Sequence, residues 1–134
     1  MTGAPFRDIT YNLLRVVTGL MFMQHGAQKL FGWLEGRQVT ELASVSGVAG
    51  VLEFFGGALI AFGLLTRPVA FILSGEMAVA YFWRHLPGGF WPILNRGELA
   101  ALFCFIFLFI AAHGPGSWSL DALIRRRKHG AAPG

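Results

Sequence analysis

His25, Lys29, Glu53, Glu76 and Glu98 are ionisable side chains set inside, or at the edge of, stretches that are otherwise almost wholly apolar. An ionisable group at membrane depth is costly, and it persists where it meets a partner, a ligand or a proton path. Carboxyl groups beside an imidazole and an ammonium can pass protons and hydrogen-bond a polar headgroup. The residues are therefore read as one site. Glu76 and His25 are its candidates for proton transfer, Lys29 and Glu53 line it, and Asn95, Arg96 and Glu98 stand at its mouth. Carboxylates sharing one layer need cations among them, and Lys29, a protonated His25 and Arg96 are available. Glu76 lies deepest and has no basic residue one turn away, so it is expected to hold its proton and act as donor. Glu53–Lys29 is the more structural pair. The competing reading of this layer is a set of ion pairs that fixes helix order and does no chemistry.

These side chains need elements that bring them together. On a helix, Asp8, Asn12, Arg15, Thr18, Phe22, His25 and Lys29 recur at spacings of three or four and form one stripe. The opposite stripe, Leu13, Val17, Leu20, Met23, Leu30 and Leu34, is apolar. The polar stripe must face protein or enclosed water, so the other helices are expected to supply its partners. Arg15 is the exception: it is predicted to lie alone, toward the cytoplasmic side.

The 134 residues are 54% hydrophobic and 13% charged, with mean hydropathy +0.56. Soluble domains carry about a quarter charged residues, so this composition indicates a single integral membrane domain. The fold class is all-α: a four-transmembrane-helix antiparallel bundle with a short C-terminal amphipathic helix. The spans are placed at about 9–34, 45–65, 68–83 and 98–113, and the surface helix at 120–127. Residues 1–8 read as a polar lead, 84–97 as a structured interfacial loop, and the tail after Lys128 as unstructured. Ser117 or Ser119 is expected to cap the last helix, with Asp121 in its first turn. The first apolar segment is too long and too polar for a removable signal and is expected to remain as an anchor. Arg7, Arg67 and the run Arg125–Lys128 outnumber the basic residues of the other loops, which places both termini in the cytoplasm of a multi-pass protein.

Composition also excludes chemistry. Cys104 is the single cysteine, so no internal disulfide, thiol pair or cysteine metal site can form. The net charge of +4 sits in termini and loops and speaks to topology and lipid headgroups, with no nucleic-acid partner expected. His25 and His113 fall at opposite depths, against a bis-histidine haem. His25, Glu53 and Glu76 have no spacing that specifies a metal. No haem, flavin or iron–sulfur motif is present, so the cofactor is unknown.

GLMFMQHGAQKLFG in the first span, LEFFGGALIAFGLLTRPVA across the second, and NRGELAALF followed by GPGSWSLD resemble the DoxX family, from Arg15 to Asp121. The resemblance implies a four-helix protein of bacterial or archaeal plasma membranes, associated with quinone-linked respiratory or sulfur-oxidising complexes. More distant relatives act in cargo reception or assembly. It attaches no catalytic role to the matching positions, among them His25, Lys29, Glu53, Asn95 and Glu98. Its first functional reading is a quinone-linked redox subunit or quinone-handling protein without a redox metal of its own. Met21, Met23, Phe54, Phe55 and Met77 are candidates to line the slot for the tail, and electrons would come from a partner. The alternatives are a small proton-coupled carrier or channel, and a non-catalytic assembly subunit. The expected partners are the lipid bilayer, a quinone or other lipophilic small molecule, and a second copy or another membrane redox subunit.

Overall fold

The computed structural model describes residues 3–38 and 40–130. Every element among them is helical: α1 Gly3–Phe31, α2 Val45–Phe62, α3 Thr66–Ala80, α4 Pro92–Asn95, α5 Glu98–His113 and α6 Leu120–Gly130. A wide π turn at Tyr81–His85 and a 3₁₀ turn at Leu86–Gly88 join α3 to α4. α2 combines 18 residues with a mean hydropathy of 1.8, enough to cross a bilayer; α5 is apolar but shorter. α1 has 29 residues, about 44 Å by helical rise.

The helix ends have local causes. Pro5 is tolerated in the first turn of α1, so the helix starts at Gly3 and absorbs the segment read as a polar lead. It stops at Phe31, short of the expected Leu34, because Gly32 takes a φ of +70°. Gly63, also at +70°, closes α2, with its amide on the Ile60 carbonyl. Ser44 caps the start of α2 by accepting the Gly47 amide at 3.1 Å. Ser119 caps α6 through the Ala122 amide at 3.0 Å, and α6 runs past the expected Arg127 to Gly130. The rest of the tail, 131–134, lies outside the described residues.

The long helices pack as antiparallel pairs. α1 lies on α2 across a seam of small residues: a Cβ on Gly57 would meet the Gly19 carbonyl oxygen at 2.7 Å, so only glycine permits this approach. α3 lies on α5, where Ser74 Oγ donates to the Cys104 carbonyl at 2.7 Å. Phe22 of α1 meets Phe103 and Phe107 of α5 at 5.2 and 4.8 Å between ring centroids. These contacts join the pairs around a core that includes Ile60, Leu73 and Ile110. Outward faces are apolar, with Leu13, Val17, Phe55, Phe71 and Phe105 exposed, while Asn12, Arg15, Thr18 and Glu53 are buried. Polar residues inside and large apolar ones outside form the pattern of a protein dissolved in lipid.

Arg15 is not alone. It is fully buried, and its guanidinium donates to Asn12 Oδ1 at 3.1 Å, the Ile60 carbonyl at 3.0 Å and the Trp118 carbonyl at 2.6 Å, and also to the Pro115 carbonyl. One cation thereby satisfies carbonyls freed by the end of α2 and by the Gly114–Ser119 connection. Arg67 does similar work at the end of α5, donating to the carbonyls of Ala111 and Ala112 at 3.1 and 2.6 Å. Asp121 accepts the Leu65 and Thr66 amides, both at 2.9 Å, and caps α3 from the other end of the chain. Arg15→Lys keeps the charge but loses the planar fork, and is expected to cost about 2–4 kcal/mol. Thermal unfolding in detergent checks this; an unchanged Tm would contradict it.

Candidate functional site

At the end of the bundle opposite Arg15, where α1 and α3 finish and α2 and α5 begin, the helices part around a cavity of ≈ 730 Å³. His25 and Lys29 reach it from α1, Glu53 from α2 and Glu76 from α3, with Phe22 and Phe103 as further lining. The helical periods explain the convergence. His25 and Lys29 continue the polar stripe of α1, and Glu53 is on the face of α2 that carries Gly57 against α1.

Lys29 Nζ donates to both carboxylate oxygens of Glu53, at 2.7 and 2.6 Å. Glu53 is 3% exposed and the Lys29 side chain 29%. The charged groups acting on Glu76 are Glu53 and Lys29, and its buried Oε1 has no hydrogen-bond partner among the described residues. One ammonium thus stands beside two carboxyl groups, and the one it does not grip has an unfilled bonding position. His25 lies edge-on to Phe103, with centroids 6.1 Å apart. Such a constellation can accept a hydrogen bond or exchange a proton at Glu76 while Lys29–Glu53 stays locked.

The rim differs from the sequence reading in two places. Arg96 lines the cavity, with Arg84 and His85 beside it, and holds a left-handed φ of +63°. Asn95 does not line it. Its Nδ2 donates to the Gly89 carbonyl at 2.8 Å and its Oδ1 accepts the Gly97 amide at 2.8 Å, so it is spent on folding the loop. Glu98 is exposed and stands outside the cavity, in the first turn of α5, where a carboxylate complements the helix dipole. Of the side chains expected in the slot, Met77 lines it. Met21 and Phe55 turn outward, and Met23 and Phe54 are not among its lining.

Arg84 also donates to Ser46 Oγ at 2.8 Å and bridges the π turn to the start of α2. Sequence reasoning missed the aromatic Phe22 and Phe103 as lining of the cavity; the periodicity that places Phe22 on the His25 stripe was the available signal.

The pair makes a stability prediction. Lys29→Met or Glu53→Leu alone leaves a buried charge without its partner and is expected to cost about 3 kcal/mol. The double variant, which buries neither charge, is expected to recover most of that loss in a detergent melting experiment. Additive losses would show that the pair is not coupled.

The DoxX family profile matches residues 11–86. An uncharacterized Haemophilus influenzae protein is 40% identical over 122 residues, covering 87% of this chain and 91% of the relative. A Mycobacterium tuberculosis protein named as a membrane protein is 32% identical over 133 residues, covering 85% of this chain and 80% of the relative. CatD of Bacillus subtilis, provisionally named an oxidoreductase, is 28% identical over 121 residues, covering 87% of each. No solved structure matches the chain. With outward-facing apolar surfaces, a buried polar stripe and a family profile spanning more than half its length, the chain belongs to the DoxX family and is an integral membrane protein.

Proposed function

We propose that this protein binds a lipophilic molecule with a hydrogen-bonding head, of the quinone class, in the cavity between His25 and Glu76, as a quinone-linked subunit of a membrane redox assembly. The observation that carries this reading is Glu76: a carboxyl group with a buried, unpartnered oxygen, facing a cavity whose remaining walls are largely apolar. An apolar slot with a few convergent polar groups is what a quinone tail and its carbonyls require. The provisional oxidoreductase name of CatD supports the same class of chemistry.

In this reading α1, α2, α3 and α5 all cross the bilayer, with both termini cytoplasmic and the cavity in the outer half. Glu76 gives or takes the proton at one carbonyl, and His25 hydrogen-bonds the ligand from α1. Lys29 and Glu53 lock α1 to α2 on one side of the cavity. Arg84 and Arg96 sit at the mouth with His85. Electrons for any reduction come from a partner subunit. A proton-coupled carrier is less well supported, because fully buried Arg15, Ile60, Phe107 and Ile110 fill the bundle toward its other end.

Trp83 lines the cavity, so a bound quinone should quench tryptophan fluorescence. A short-tailed ubiquinone or menaquinone analogue, titrated into the purified protein, is expected to quench saturably. Glu76→Ala should weaken binding by about tenfold or more. Glu98→Ala, outside the cavity, should leave it unchanged. Absence of saturable quenching, or equal affinity in all three proteins, would overturn the reading.

A further inference from the structure

A second concave site lies at the Arg15 end of the bundle. α6 is fixed against the turn between α2 and α3: the Asp121 amide donates to the Gly63 carbonyl at 2.9 Å, and the Asp121 carboxylate accepts the Leu65 and Thr66 amides. That anchor sets the rotation of the helix. Arg125, Lys128 and His129 follow Asp121 on one face, four, seven and eight residues on. They turn toward Arg67 and Thr66 across a groove of ≈ 540 Å³. Arg126 and Arg127 do not line it.

The charges in this groove are unbalanced. Asp121 is its one carboxylate, and both oxygens are already taken by backbone amides. Among the described residues the one ion pair is Lys29–Glu53, at the opposite end, so Arg125 and Lys128 have no acidic partner. Arg67 spends its two Nη groups on the carbonyls of α5 and adds its positive charge to the groove wall. Thr66 is 1% exposed, and its hydroxyl has no hydrogen-bond partner among the described residues. The edges of the same groove are apolar: Leu65 is 58% and Ile124 43% exposed.

We propose that this groove binds the phosphate headgroup of an anionic phospholipid. Cations held without counterions attract an anion at a membrane surface, and a basic pocket at a helix end suits a lipid phosphate. The apolar edges favour a lipid over a soluble anion, since only a lipid places a glycerol and acyl chains beside its phosphate. This site is separate from the cavity, and the proposal stands whether or not the cavity takes a quinone.

The test compares two variants with the same loss of charge. Arg125→Gln/Lys128→Gln removes the cations that face the groove, and Arg126→Gln/Arg127→Gln removes two that do not. Melting of the detergent-purified protein is followed with added phosphatidylglycerol, phosphatidylcholine or inorganic phosphate, and helicity is checked by circular dichroism. Phosphatidylglycerol is expected to raise the wild-type Tm by roughly 5 °C at saturation. The effect should persist in Arg126→Gln/Arg127→Gln and be largely lost in Arg125→Gln/Lys128→Gln. Equal responses of the two variants would show diffuse attraction with no site. Equal stabilisation by inorganic phosphate, or by phosphatidylcholine, would likewise overturn the assignment.

Discussion

Lys29 and Arg15 are two cations on one helix, both facing inward, and the rest of the bundle is arranged around what they require. Lipid offers neither of them a counterion or a hydrogen bond. α2 therefore meets α1 with Glu53 at one end and with the freed carbonyls of its last turn at the other. The small residues between, Gly57 and Ala61 against Gly19, let the two backbones come close enough for both contacts to be made at once. The helix register follows from that double constraint, because a shift of one turn would break the ion pair and strand Arg15.

The two ends then diverge in character. At the Arg15 end every donor of the guanidinium finds a carbonyl or an amide oxygen, and the connection from Gly114 to Ser119 wraps it closed. That is a structural solution: the guanidinium keeps no donor for a ligand. At the Lys29 end the bonding is incomplete: one ammonium serves Glu53, and Glu76 stands beside the pair with an oxygen unused. The helices also spread there, since α3 gives way to a wide turn and α4 is a single short turn. Incomplete polar pairing next to empty volume is what separates a candidate site from a set of ion pairs that merely order helices.

Much of this was legible in the residues. The bounds of α5 and the start of α2 coincide with the breakers that flank them, and the convergence of His25, Lys29, Glu53 and Glu76 follows from helical period and antiparallel order. What escaped has a common cause. The acceptors of Arg15 are backbone carbonyls, which carry no residue signature, so Arg15 looked solitary. Asp121 was read as a local first-turn acid, and its role as cap for α3 depends on a contact between positions 55 and 56 residues apart. Asn95 and Glu98 are adjacent to the cavity in sequence, but α4 ends in a left-handed residue that turns them away from it. Side chain–backbone bonds and loop geometry are the parts that periodicity does not report.

In the proposed function the cavity beside Glu76 holds a lipophilic ligand. Gly75 borders that cavity, and a Cβ added there would meet no atom within 4 Å, so a side chain can start from this position and Gly75→Trp is the variant chosen to fill the space. Mass spectrometry of small molecules retained by protein extracted in mild detergent is the most direct measurement. The wild type is expected to retain a quinone-class molecule at near-stoichiometric level, and an equally folded Gly75→Trp protein is expected to lose it. Equal retention by both proteins, or a wild type that carries only bulk phospholipid, would contradict the account.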